Sequence, residues 1–196
     1  MGQEARWFFV VIDSKKLERY IDEGIESRRS IDPKEIIKVS KILMDRIKKD
    51  GKLVTFGNGG SAADAQHFAA ELSGKFMKER RPFPAVALST NTSTITAIGN
   101  DCDFSEIFSR QVEAMCSKND FVVGISTSGN SQNVLKGLKM AKELGAFTLA
   151  MTGKDGGKVK GLVDYCIKVN STMTPIIQEV HISIIHMICY CIDEML

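Results

Sequence analysis

The pattern of apolar and polar positions divides the chain near residue 52. Residues 14–50 are rich in charged side chains, and their apolar positions recur every three or four residues, which is the spacing of an amphipathic helix. The apolar positions that carry this spacing are Ile36, Val39, Leu43 and Ile47. They predict two helices separated near "SIDPKE", with Ser30 or Asp32 as the cap of the second helix and Pro33 in its first turn.

After residue 52, short apolar runs alternate with segments of helical pattern. The runs predict five buried strands, at 52–56, 85–89, 120–126, 147–151 and 165–169. Helices are predicted near 61–79, 131–144 and 175–195, with shorter helical pieces between 93 and 115. Strands that alternate with helices favour a parallel sheet covered on both faces. The predicted fold class is therefore α/β, a three-layer sandwich with a five-stranded parallel sheet, plus N-terminal helices.

The overall charge and the N-terminal residues argue against two kinds of partner, nucleic acid and a membrane. A formal net charge of +2 over 196 residues gives little reason to expect binding to nucleic acid. The apolar run "WFFVVI" near the N-terminus is too short for a signal-peptide core or a membrane span. We interpret this run as a short strand or arm, with disorder as the alternative, and we expect no membrane partner.

The cysteines indicate the compartment in which the protein works. There are five, an odd number, with no CxxC pair and no zinc-ribbon spacing: Cys102, Cys116, Cys166, Cys189 and Cys191. Such usage is typical of a reducing compartment, where most of them would be buried thiols. We therefore expect a cytoplasmic protein.

Two loops rich in glycine and serine follow predicted strands and lead into helices. They are "GNGGS" at 57–61 and "STSGNS" at 126–131. Ligands bind at the carboxyl ends of parallel strands, and a glycine-rich loop at a helix N-terminus can hold an anion. Neither loop matches the dinucleotide or nucleotide-triphosphate motifs, so a sugar phosphate is the better ligand. The alternative is that these residues only cap helices and turn the chain.

A second candidate site lies in "DAQHFAAEL", where His67 and Glu71 are four positions apart. This spacing corresponds to ~6 Å of helical rise and about 40° of rotation, so both side chains can reach one point. The pair is either a metal or catalytic site or an ordinary contact on a solvated helix. The other two histidines lie on the apolar C-terminal helix, where we expect His181 to be a core histidine bonded to a carbonyl group.

Four residues of these two segments could form a zinc site. Two histidines, one carboxylate and one amide oxygen suit zinc. On one continuous helix, however, Gln178 and His186 would lie ~12 Å apart along the axis and about 80° apart around it. Either the first turn after Pro175 is bent, or a neighbouring subunit supplies part of the site, and we favour the interface.

Several motifs together resemble one known family. They are "GNGGSAADAQHFAAEL", "TAIGND", "GISTSGNS", "MTGKDGG" and "IQEVHISIIH", in order and with matching spacing. They resemble the sedoheptulose-7-phosphate isomerase (phosphoheptose isomerase) family of the sugar isomerase (SIS) domain superfamily. The resemblance covers residues 35–196 and implies a flavodoxin-like SIS domain there, with 1–34 as an N-terminal arm and helix of one globular unit.

The resemblance implies an activity and an assembly. The expected reaction converts sedoheptulose 7-phosphate to D-glycero-D-manno-heptose 7-phosphate, which supplies heptose for a surface glycan such as lipopolysaccharide core, capsule or S-layer. The expected assembly is a homotetramer with its active sites at subunit interfaces.

The resemblance also implies which residues act. One Zn²⁺ per subunit would be held by His67, Glu71, Gln178 and His186. Glu71 would be the base and His186 the acid of an enediol-type proton transfer. Substrate contacts would be Asn58, Gly59, Gly60, Glu71, Asn100, Asp101, Ser126, Thr127, Ser128, Ser131 and Gln178. Because a zinc-bound carboxylate is a weaker base, either ligation loosens during turnover or the metal chiefly shapes the site.

Two alternatives to this activity stay open. Some similar SIS proteins bind the replication initiator without catalysis, but they lack the acid and base, whereas Glu71 and His186 are both present here. The second alternative is an isomerase for a different sugar phosphate. Ile176 stands where the family commonly has Arg, which would remove a positive group near the entrance of the site.

Overall fold

The computed structural model describes residues 13–196, so the arm predicted over "WFFVVI" lies outside the described residues. Two helices come first, α1 at Ser14–Arg29 and α2 at Pro33–Ile47. Asp32 caps α2, because its side chain accepts a hydrogen bond of 2.9 Å from the backbone N–H of Lys34. The predicted pair of helices and one of the two candidate caps are confirmed.

All five predicted strands form one parallel sheet. They are β1 (Leu53–Gly57), β2 (Ala85–Ala87), β3 (Phe121–Ile125), β4 (Phe147–Thr152) and β5 (Tyr165–Lys168). The order across the sheet is β2-β1-β3-β4-β5, so the chain leaves β1 on one side and returns to its other side at β3. Such a reversal opens a crevice beyond the carboxyl ends of β1 and β3, where ligands bind in sheets of this kind.

The remaining helices cover both faces of the sheet. They are α3 (Gly60–Ser73), α4 (Thr92–Asp101), α5 (Ser109–Met115), α6 (Gln132–Glu143) and α7 (Thr174–Glu194), with short 3₁₀ turns at Phe104–Glu106 and Lys158–Gly161. Helix α3 ends at Ser73, earlier than predicted. Gly74 follows it, and the Arg80 side chain donates to the Leu72 carbonyl at 3.0 Å, so a tertiary contact holds the end of the helix.

Two apolar cores separate the layers. One contains Phe68 of α3 and Ile184 of α7, with residues of α2, on one face of the sheet. The other lies on the opposite face, where the Phe56 and Phe108 rings stack with centroids 4.8 Å apart. The predicted three-layer α/β sandwich is confirmed.

Helix α7 has the length and the hydropathy that a membrane span requires. Half of the apolar stretch of this helix is buried inside the protein, and Ile184 and Ile188 belong to the core. This burial accounts for the apolar sequence, since a core helix meets the same criteria. Ile176 is also fully buried in this core, and the loss of a positive group near the site entrance stays a prediction.

Helix α1 lies against the segment that leads into α7. The Tyr20 hydroxyl donates to Glu179 Oε1 at 2.6 Å, and the Ser171 hydroxyl donates to Glu23 Oε1 at 2.8 Å. These contacts join the N-terminal helix to the domain. The division of the chain into 1–34 and 35–196 stays a prediction.

The cysteines are less buried than predicted. All five are free thiols, but only Cys189 is buried, and Cys102 is exposed. The others lie at intermediate depth because they sit at the margins of the two cores. Burial raises the pKa of the Cys116 and Cys189 thiols to about 12, which makes them poor nucleophiles.

Candidate active site

Helices α3 and α7 lie side by side, and two contacts define their alignment. Gly60, the first residue of α3, lies against Gln178: a Cβ atom at position 60 would stand 2.5 Å from Gln178 Nε2. About two turns further along each helix, His67 Nε2 is 3.2 Å from His186 Nε2. The helices therefore run in the same direction, and a side chain at position 60 would displace the Gln178 amide from its present place.

Three of the predicted ligands meet in one chain. His67 Nε2 is 2.8 Å from Glu71 Oε1, and ligand atoms of His67, Glu71 and His186 all lie within 4.8 Å of one another. The His67 and Glu71 side chains are 43% and 22% exposed, so the cluster opens to solvent. The Phe76 ring lies against His186 with centroids 5.7 Å apart and closes one side of the cluster.

The chemistry of these three donors fits a metal ion. A single proton on His67 Nε2 would have to be shared between the carboxylate and the second imidazole, whereas a cation among the three atoms would satisfy all of them. Two imidazole nitrogens and one carboxylate oxygen are a ligand set that zinc takes in catalytic sites, where a further position is left for water or substrate. The zinc assignment itself stays a prediction.

Gln178 does not join this cluster within the chain. Its contact with Gly60 places it ~10 Å along the helix pair from His67. Helix α7 continues without a break from Thr174 to Glu194, so no bend after Pro175 brings Gln178 closer. The predicted fourth ligand would therefore have to come from another subunit.

The two phosphate-loop candidates lie at the carboxyl ends of the neighbouring strands β1 and β3. Gly129 has a φ of 64°, a left-handed conformation that a glycine adopts without strain. The Ser126 and Ser131 hydroxyls are 3.0 Å apart. Thr127 and Ser128 line a cavity of about 290 Å³. The hydroxyl groups of the 126–131 loop thus lie at a cavity beside the N-terminus of α6.

Asn100 and Asp101 lie apart from the cluster of ligand atoms. Both are exposed at the C-terminal end of α4. Within residues 13–196 their side chains hydrogen-bond only to each other, with Asn100 Nδ2 donating to Asp101 Oδ1 at 2.8 Å. Their role in substrate contact stays a prediction.

Two residues near the site were not singled out by the sequence. Asp64 lies between Gly60 and His67 on α3; burial raises its pKa to about 6, and its Oδ2 atom has no hydrogen-bond partner within residues 13–196. Asn133 is buried and hydrogen-bonds to Asn58 at 2.9 Å. The only signal for either was a polar residue on a helix, which is common on surfaces.

His181 is the core histidine that the sequence predicted. Its side chain is fully buried, and Nε2 lies 3.2 Å from the Thr152 carbonyl oxygen, to which it donates. Burial lowers the pKa of His181 to about 4, against the smaller opposing effect of this hydrogen bond. His181 is therefore neutral at pH 7.

The buried His181 predicts a pH-dependent contribution to stability. Because its pKa is about 4 in the folded protein and ~6.5 in the unfolded chain, the unfolded state binds more protons between these values. Its contribution is complete above pH ~6.5, and about 3 kcal/mol is lost as the pH falls to about 4. Urea titrations at several pH values would show this as a difference between the wild type and His181→Leu.

The comparison with His181→Leu is needed because Asp64 titrates in the same pH range and its effect on stability has the opposite sign. Its raised pKa adds stability at low pH that is lost as the pH rises towards 6. An Asp64→Asn background removes this opposing effect. A difference between the wild type and His181→Leu that does not change with pH would contradict the prediction.

The fold and the site define the class of protein, and comparisons with known proteins agree. The sequence model of the SIS domain family matches residues 19–153. A probable phosphoheptose isomerase of Thermoplasma acidophilum is 54% identical over 183 residues, which are 93% of this chain and 99% of the relative. The phosphoheptose isomerase of Aquifex aeolicus is 54% identical over 161 residues, 82% of this chain and 84% of the relative.

A solved structure agrees as well. Phosphoheptose isomerase GmhA from Neisseria gonorrhoeae superposes with a TM-score of 0.84 at 40% identity, over 92% of this chain and 98% of that chain. The chain belongs to the phosphoheptose isomerase family of SIS domain proteins. The resemblance seen in the sequence motifs is thereby confirmed.

Proposed function

We propose that the protein is an isomerase that converts sedoheptulose 7-phosphate to D-glycero-D-manno-heptose 7-phosphate. The observation that carries the proposal is the convergence of Glu71 and His186 around His67, in a chain 54% identical to phosphoheptose isomerases. A non-catalytic role is disfavoured because the acid and the base are both present and adjacent. The test compares kcat/KM for sedoheptulose 7-phosphate with that for fructose 6-phosphate, and a preference for the latter would favour a different sugar.

The reaction moves a proton between C1 and C2 of the sugar while the carbonyl and hydroxyl groups exchange places. Glu71 would take the proton from carbon, and this role is supported by its carboxylate being only 22% exposed and oriented by the 2.8 Å contact with His67. His186 contacts the same nitrogen of His67 at 3.2 Å and would serve the oxygen atoms as the acid. The serine and glycine loops at 57–61 and 126–131 would hold the phosphate.

A zinc ion fits this site as a cofactor. His67, Glu71 and His186 would hold it, with Gln178 of a neighbouring subunit as the fourth ligand. When bound, zinc supplies a positive charge that polarises a sugar oxygen. If Glu71 held the ion, its carboxylate would be a weaker base, so the zinc would serve chiefly to shape the site or Glu71 would act as base only when it is not a ligand.

Zinc content tests this assignment independently of activity. The purified protein should hold about one zinc ion per chain, as mass spectrometry of the metal would show, and His67→Ala should lower that content several-fold because it removes an imidazole ligand. His181→Leu is the matched control, since it removes a histidine away from the cluster. Equal zinc content in the wild type and His67→Ala would contradict the site.

An assembly of several copies is the proposed state of the protein. Leu17, Ile21 and Ile25 line one face of α1 at a spacing of four and are 58%, 51% and 45% exposed. Such a stripe is typical of a helix that packs against another chain. The separation of Gln178 from the His67 cluster supports active sites at subunit interfaces. We propose a homotetramer in the cytoplasm that supplies heptose for a surface glycan.

A further inference from the structure

The two substrate loops are joined by a reciprocal pair of side-chain amides. Asn58, in the loop after β1, donates from Nδ2 to Asn133 Oδ1 at 2.8 Å. Asn133, in the first turn of α6, donates from Nδ2 to Asn58 Oδ1 at 2.9 Å. Asn133 is only 3% exposed, so the pair is largely shielded from water.

The position of Asn133 is itself fixed by the backbone. Its Oδ1 atom also accepts a hydrogen bond of 2.9 Å from the N–H of Val134. Asn133 lies two residues after the loop 126–131, whereas Asn58 begins the turn into α3. Since β1 and β3 are neighbours where the strand order reverses, the amide pair spans the ligand crevice.

We propose that Asn133 is a positioning residue that sets the spacing of the two loops through Asn58. The Asn58 amide is engaged with Asn133, and the N–H groups of Ser61 and Ala62 donate to the carbonyls of Asn58 and Gly59 at 3.0 Å. The contact of the 57–61 loop with substrate therefore comes from the backbone N–H groups of Gly59 and Gly60, at the N-terminus of α3. This inference deepens the proposed function and rests on it. It assigns to Asn133 a role in substrate binding although it need not touch the substrate.

An amide is required at both ends because each side chain must donate and accept. Replacing Asn133 by Asp keeps the acceptor for Val134 but removes the donor to Asn58 Oδ1 and places two oxygen atoms face to face. Replacing it by Ala leaves both the donor and the acceptor of Asn58 unpaired. The loss of a hydrogen bond at a buried site destabilises the native position of the 57–61 loop enough to shift it.

The kinetic test uses the intact protein with sedoheptulose 7-phosphate. Asn133→Ala should raise KM about 10-fold and change kcat by less than about 2-fold, because the loops bind ground state and transition state alike. Asn133→Asp should also raise KM, and it serves as the near-isosteric variant if Asn133→Ala impairs folding. Gln132→Ala, an exposed neighbour in the same turn, is the control and should leave KM unchanged.

Coupling between the two asparagines is the second readout. Asn58→Ala and Asn58→Ala/Asn133→Ala should show the same KM within about 2-fold, because either change removes the whole pair. A merely structural role would instead give independent effects that multiply. Multiplying effects, or an unchanged KM in Asn133→Ala, would overturn the proposal.

Hydrogen exchange separates this proposal from the proposed function. In Asn133→Ala, the amides of residues 57–61 should exchange faster than in the wild type, although the substitution lies in a different loop, and Gln132→Ala should not change them. Unchanged exchange at 57–61 would overturn the positioning role. Absence of isomerase activity in the wild type would overturn the proposed function alone, since the exchange measurement needs no substrate.

Discussion

Replacing Glu71 by Gln is expected to lower kcat for sedoheptulose 7-phosphate by about a thousandfold and to leave substrate affinity within a few-fold of the wild type. A positioned general base contributes about 10²–10⁴-fold to the rate. Glutamine has nearly the same shape and still offers an oxygen to His67, which lies 2.8 Å from the native carboxylate. It cannot take a proton from carbon, so the chemical step fails while the loops still bind the phosphate.

The measurement is steady-state turnover, with calorimetry for binding. Glu79→Gln is the matched control, because Glu79 is 83% exposed in the segment after α3 and should be replaceable without loss of turnover. Zinc content is measured in both variants, so that a loss of metal is not mistaken for a loss of the base. Turnover within about 10-fold of the wild type in Glu71→Gln would remove Glu71 from the base role.

The second large effect is expected on the free energy of unfolding, when the buried ion pair of Arg80 is removed. Arg80 and Asp193 form an ion pair of 3.1 Å whose side chains are 5% and 2% exposed. Removing one partner of a buried pair costs about 3–5 kcal/mol because the other charge stays buried without compensation. Arg80→Ala should lower the free energy of unfolding by this amount, as urea denaturation would measure.

The structure explains why this pair is exceptional. Arg80 also donates to the Glu71 carbonyl at 2.7 Å, and Asp193 accepts from the backbone N–H groups of Met77 and Lys78 at 2.8 and 2.9 Å. The pair thus ties the end of α3, and with it Glu71, to the end of α7.

An exposed ion pair provides the control for Arg80→Ala. Lys139 and Glu143 face each other at 3.8 Å with side chains 68% and 56% exposed, so Lys139→Ala should cost less than about 1 kcal/mol. An equal loss of unfolding free energy in Lys139→Ala and Arg80→Ala would contradict the importance of the buried pair.

The fold was largely predictable from the sequence because its signals are local. Apolar runs marked the five strands, and the Asp32-Pro33 start of α2 followed from capping and proline geometry. The end of α3 was predicted too late, because the Arg80 contacts that hold it come from residues further along the chain. The burial of Ile176 was missed for a similar reason, since it depends on how α7 packs against the sheet.

The site was predictable only where spacing alone places side chains. His67 and Glu71 share a helix, so their contact followed from a spacing of four. The contact of His67 with His186 depends on the alignment of α3 with α7, which residue spacing does not contain. The donor chemistry of the two segments made a shared site possible, and the family resemblance selected His186 as its member. Asn133 and Asp64 gave no signal because their significance comes from partners distant in sequence or from burial.

The central claim is that this chain moves a proton between C1 and C2 of a ketose phosphate. Incubating the intact protein with sedoheptulose 7-phosphate in D₂O, with NMR of the products, tests it most directly. The account predicts D-glycero-D-manno-heptose 7-phosphate that carries solvent deuterium at C2, because Glu71 exchanges its proton before returning it. No aldoheptose phosphate, or a product whose C2 hydrogen comes wholly from C1 of the substrate with no deuterium incorporated, would contradict it.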